Sequence, residues 1–185
     1  MALLIAGLIL WIAVHYFKRL APVRRAALGP RGKGIIAVGL VAAVVLMIIG
    51  YRAADFIAIW QPPGFMVHAN NTLMLLALWV FGSSAAKGAK AWPAYKIRHP
   101  QLTGFKIWAT AHLLVNGDLA SVVLFGGLLA WAVGQAVLIN RAEPDWTPPD
   151  RAGRATYIRL AVISAVLFSL VAAIHIGLGV WPFPV

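Results

Sequence analysis

Residues 34–50 read GIIAVGLVAAVVLMIIG (Gly34–Gly50), bounded by Lys33 on one side and by Tyr51 and Arg52 on the other. The stretch contains no charged side chain. As a helix it is ~25 Å long at ~1.5 Å per residue, close to the ~30 Å hydrocarbon core of a bilayer. It reads as a transmembrane helix.

Five further apolar segments flank it: Ala2–Phe17, Val67–Gly82, Thr103–Val115, Leu119–Ile139 and Tyr157–Val180. Only short connectors remain between them. The sequence therefore predicts an all-α integral membrane bundle of about six transmembrane helices, as a single domain over residues 1–185. Composition agrees. Of 185 residues, 62% are hydrophobic and 11% charged, whereas a soluble domain is about half apolar and a quarter charged. The mean hydropathy is +0.84. The absence of cysteine excludes a disulfide framework, thiolate metal sites and covalent c-type haem attachment.

Lysine and arginine set the expected orientation. There are 16 of them against 5 acidic residues. The first connector carries Lys18, Arg19, Arg24, Arg25, Arg31 and Lys33; the third carries Lys87, Lys90, Lys96 and Arg98; the fifth carries Arg141, Arg151 and Arg154. The second has only Arg52 and the fourth has none. Basic odd connectors on the inside leave both termini outside. With most of the charges in short connectors, positive-inside topology and anionic lipid headgroups account for the excess. No nucleic-acid partner is expected. The first apolar run starts at Ala2 without a basic leader, so it reads as a retained helix and not as a cleavable signal peptide.

The fourth segment is short. From Thr103 to Asn116 it covers only ~20 Å, and Gly117 is a natural helix stop. Either the helix starts earlier, or its outer turn is sunk in a region walled by protein or water, since lipid cannot satisfy its backbone. Asp118 is placed either to cap the next helix or to line a polar pit. Glu143–Asp150, with Pro144, Pro148 and Pro149, reads as a connector.

The five histidines hold most of the available chemistry. Counting from the helix ends puts His15 ~10 Å and His112 ~14 Å above the inner boundary, a matched depth. His68 and His175 form a second pair near the outer surface, and His99 lies in an inner connector. Polar groups inside a bilayer are costly and face the bundle interior or a function. Two imidazoles at one depth suit the axial positions of a b-type haem (iron protoporphyrin IX) held without covalent links. Trp11 precedes His15, and Trp108 precedes His112, by one helical turn, so each indole shares its histidine's face. The alternatives are histidines that only hydrogen-bond between helices and tryptophans that only pack or anchor at the interface.

The stretch Arg98-His99-Pro100-Gln101-Leu102-Thr103-Gly104, continued by Trp108-Ala109-Thr110-Ala111-His112-Leu113 and Asn116-Gly117-Asp118-Leu119-Ala120-Ser121, resembles the NnrU family. That family is similar to the 15-cis-zeta-carotene isomerases of plants and cyanobacteria, which are haem b enzymes. The resemblance implies a bacterial inner-membrane protein with His15 and His112 as axial haem ligands. It also implies redox-linked isomerisation of a hydrophobic polyene, or chemistry on nitric oxide as a small gas ligand, in keeping with the family's association with denitrification. The chain departs from the isomerases at Ala109, where they have a cysteine, so ligand exchange at that position is not carried over. Arg98, His99, Pro100 and Gly104 also resemble the cytoplasmic S-adenosylmethionine site of isoprenylcysteine-type membrane methyltransferases, although no acidic residue follows Asp150 here. For Arg98 and His99 the alternative to cofactor binding is a basic collar at a helix entry, with Pro100 in the first turn. A cofactor-free accessory protein for nitrite or nitric-oxide reductase is the remaining class.

Overall fold

The structure is a computed structural model and describes Met1–Pro184. It is all helical, with α1 (Ala2–Leu20), α2 (Pro22–Ala27), α3 (Gly32–Arg52), α4 (Met66–Gly82), α5 (Pro100–Val115), α6 (Leu119–Ala142) and α7 (Arg154–Gly177). Each of the six apolar segments forms one helix, and the basic first connector adds the short α2 and a 3-10 turn at Gly29–Arg31.

Four stretches are long and apolar enough to cross a bilayer: α1, α3 with its preceding turn, α6 and α7. Helix α4 is apolar but has 17 residues, and α5 has 16. The long helices turn apolar side chains outward. On α7, Ile158, Val162, Val166 and Leu170 are each more than half exposed. In water such a face would drive aggregation; in lipid it costs nothing. These faces place the chain in a bilayer.

Two compact units emerge, one formed by Met1–Gln61 with Gly117–Pro144 and the other by Pro62–Asn116 with the chain from Asp145 on. In the first unit α1 packs on α3 and α6. Glycine permits the closest approach. A Cβ on Gly7 would lie 2.8 Å from the Met47 amide nitrogen and 2.9 Å from the Ala43 carbonyl oxygen. Small residues at such crossings are the usual route to tight helix packing in membranes, where lipid tails remove the hydrophobic drive. In the second unit α4 packs on α5 and α7, and a Cβ on Gly104 would lie 2.7 Å from both the Ala77 carbonyl and the Phe81 amide.

The connectors segregate within each unit. In the first, Ile59 and Trp60 donate their amides to the Gly117 carbonyl (2.7 and 3.0 Å), and Leu119 donates to Ile57 (2.8 Å). The second and fourth connectors thus meet. Arg19 at the end of α1 pairs with Glu143 after α6 at 2.7 Å, joining the first connector to the fifth. In the second unit Lys90 donates to the Asp150 carbonyl (2.7 Å) and Ala152 donates back to Lys90 (2.8 Å), joining the third to the fifth. Odd connectors meet odd and even meet even, as an up-and-down arrangement of the apolar helices requires.

The short fourth segment resolves in two ways. Its helix starts earlier than the apolar run, at Pro100. Beyond its end, protein satisfies the backbone, through the bonds from Ile59 and Trp60 to Gly117. Asp118 is the N-cap of α6, its carboxylate accepting from the amide and hydroxyl of Ser121. Because the Ser121 hydroxyl proton is used on Asp118, the Tyr51 hydroxyl is the donor in its 2.8 Å bond to Ser121 Oγ. The capping alternative is the one realised.

Candidate functional site

In the first unit, His15 lies five residues before the end of α1. Its Nδ1–H donates to the Trp11 carbonyl at 2.9 Å. A carbonyl only accepts, so the proton sits on Nδ1 and a neutral ring carries its lone pair on Nε2. The Trp11 ring lies 4.2 Å from the imidazole centroid, as the one-turn spacing predicts. Trp131 of α6 lies 4.5 Å from the imidazole, roughly edge-on. Helix α6 comes this close because Gly134 leaves room for the Tyr16 hydroxyl, which donates to the Trp131 carbonyl at 2.9 Å. Trp131 was not legible as a neighbour of His15, since only packing brings α6 there. The buried Trp11 Nε1 and Gln135 Oε1 of this unit have no hydrogen-bond partner among the described residues.

In the second unit, His112 occupies the last turn of α5. It repeats the geometry of His15: Nδ1–H donates to the Trp108 carbonyl at 2.9 Å, and the Trp108 ring lies 4.9 Å away. Asn116 donates to the His112 carbonyl at 2.8 Å, closing the exposed end of the helix. His175 occupies the last turn of α7 and donates Nδ1–H to Val171 at 2.8 Å. His112 and His175 both belong to the second unit, as does His68. His68 opens α4 with an exposed side chain.

Arg98 and His99 immediately precede α5 and are half-buried. His99 is the N-cap residue by position, with no side-chain cap bond, and its carbonyl accepts from Thr103 at 2.8 Å. Pro100 fills the first turn, where its missing N–H costs nothing.

The donor set suits haem better than a bare metal ion. Among the described residues there is no group of three or more His, Cys, Asp or Glu side chains able to hold a metal. A metal held by protein ligands alone needs about that many. Porphyrin brings four nitrogens of its own and asks the protein for one or two imidazoles. A ligating histidine that donates its other ring nitrogen to a backbone carbonyl is the usual arrangement, because that bond fixes both tautomer and ring orientation. His15, His112 and His175 each have it.

These features define a polytopic helical membrane protein whose polar chemistry is concentrated in imidazoles bonded back to their own helices. The sequence model of the family described as "NnrU protein" matches residues 3–182, and the chain belongs to that family. Comparison with curated proteins and with solved structures gave no match.

Proposed function

We propose that this protein binds haem b in the membrane, with His112 as one axial ligand and His15, the partner suggested by the sequence, as the other. The observation that carries the reading is the Nδ1–H bond from His112 to the Trp108 carbonyl, which fixes the tautomer with the lone pair on Nε2, inside the motif that resembles the haem-binding isomerases. His15 repeats that bond on α1. The unmet Trp11 N–H adds support, since buried donors without partners are rare and call for an explanation.

Haem would supply one-electron redox chemistry and an iron able to bind small gases. The residues of this chain orient imidazoles, provide aromatic walls and exclude water. The two uses implied by the resemblance, redox-linked isomerisation of a polyene and nitric-oxide chemistry, differ in what they ask of the iron. Isomerisation needs an exchangeable position beside a lipid-side groove, whereas sensing or electron transfer works with two fixed imidazoles.

A second reading pairs His112 with His175, each in the last turn of its helix within one unit. The visible spectrum of protein purified after haem-replete expression tests the proposal. A Soret band that shifts on reduction supports it. A colourless protein overturns it and moves the cofactor-free accessory reading ahead.

A further inference from the structure

At one end of the first unit, Lys18, Arg19, Pro22, Arg25, Ala26 and Ala142 line an open groove of about 530 Å³. Its walls come from the last turn of α1, from α2 and from the last residue of α6. Among the described residues one ion pair forms here, Arg19 with Glu143 at 2.7 Å. Lys18 and Arg25 have no carboxylate partner among the described residues. Lys18 is exposed. Arg25 is folded back, with its guanidinium against the start of α3 where Gly32 has no side chain to obstruct it. Arg24, Arg31 and Lys33 belong to the same connector but do not line the groove.

We propose that this groove binds the headgroup phosphate of an anionic phospholipid. Lys18 and Arg19 lie at the end of α1 and Ala142 at the end of α6, two helices long and apolar enough to span the bilayer, which is the level at which headgroups sit. Apolar walls from Pro22, Ala26 and Ala142 stand beside the charges, a mixed lining that suits a phosphodiester carrying a glycerol backbone better than a free anion. The groove is open, so a lipid enters it laterally. Each basic group near an anionic headgroup strengthens binding about fivefold.

Native mass spectrometry of the full chain in detergent, with phosphatidylglycerol or phosphatidylcholine added, tests this. The wild type should retain phosphatidylglycerol in preference to phosphatidylcholine. Lys18→Gln, a change at an exposed side chain, should reduce retention about fivefold, and Lys18→Gln with Arg25→Gln should reduce it further. Arg25→Lys should keep most of it. Arg24→Gln, on α2 but outside the groove, should have little effect. Equal retention of the two lipids overturns the proposal, as do equal losses from Lys18→Gln and Arg24→Gln, which would mean diffuse attraction by the connector. Displacement of the lipid by millimolar inorganic phosphate would identify a free-anion site and overturn the lipid assignment.

Discussion

The imidazole of His112 is tied to the turn that precedes it, its Nδ1–H 2.9 Å from the carbonyl oxygen of Trp108. The bond belongs to the Trp108 backbone, so it survives any substitution of the indole. Trp108→Leu should therefore leave haem content close to wild type while changing the position of the Soret band, because only the ring beside the imidazole has changed. His112→Ala should lose most of the haem. Comparable haem loss in both variants would mean that the indole wall, and not the imidazole, holds the cofactor.

The partner of His112 is read from two further variants. Under the proposed pairing, His15→Ala loses haem or leaves a five-coordinate form that takes up carbon monoxide or nitric oxide more readily, while His175→Ala leaves the spectrum unchanged. The reverse pattern establishes the second reading. His68→Ala should be silent in either case, since the His68 side chain is exposed at the start of α4.

Five of the six apolar runs were legible because each is long and almost free of charge, and their helices end close to where hydropathy ends. The start of α5 was less so. Gln101 and Lys106 dilute the apolar signal, and the helix begins at Pro100, where proline in the first turn was the better guide. With the helix starting at Pro100, His112 falls in its last turn, as His175 does in α7. Trp131 beside His15 had no signal in either local sequence. Its position depends on α6 meeting α1 at Gly134, a contact that no spacing rule encodes. The Trp11–His15 and Trp108–His112 contacts were legible because residues four apart on a helix must share a face.

Gly104 tests the packing that carries α5. A side chain there has no room between the Ala77 carbonyl and the Phe81 amide, both parts of the α4 backbone, which cannot yield as a flexible side chain would. Gly104→Val should cost at least ~1–3 kcal/mol, seen as a lower midpoint in a thermal or detergent-denaturation series. Gly126→Val is the matched control, since a Cβ at Gly126 meets nothing within 4 Å. Equal losses at the two positions would mean that β-branching in a helix, and not the α4–α5 crossing, sets the effect.

The orientation of the chain is an expectation from charge, and the connector bonds within each unit bear on the alternation of sides that it assumes. Charge places the first, third and fifth connectors on the inner side. The structure joins the first to the fifth through Arg19 and Glu143, the third to the fifth through Lys90 and Asp150, and the second to the fourth through Ile59, Trp60 and Gly117. A chain in which α5 failed to cross would leave the third and fourth connectors on one side, although each is bonded to a different set. We therefore expect both termini on the outer side. Reporter fusions at Gly29 and Gly153 should be active only with a cytoplasmic reporter, and a fusion at Pro63 only with an exported one. A cytoplasmic signal at Pro63 would leave α3 and the second connector on the inner side. That result would falsify the six-span arrangement, and with it the depth argument that first paired His15 with His112.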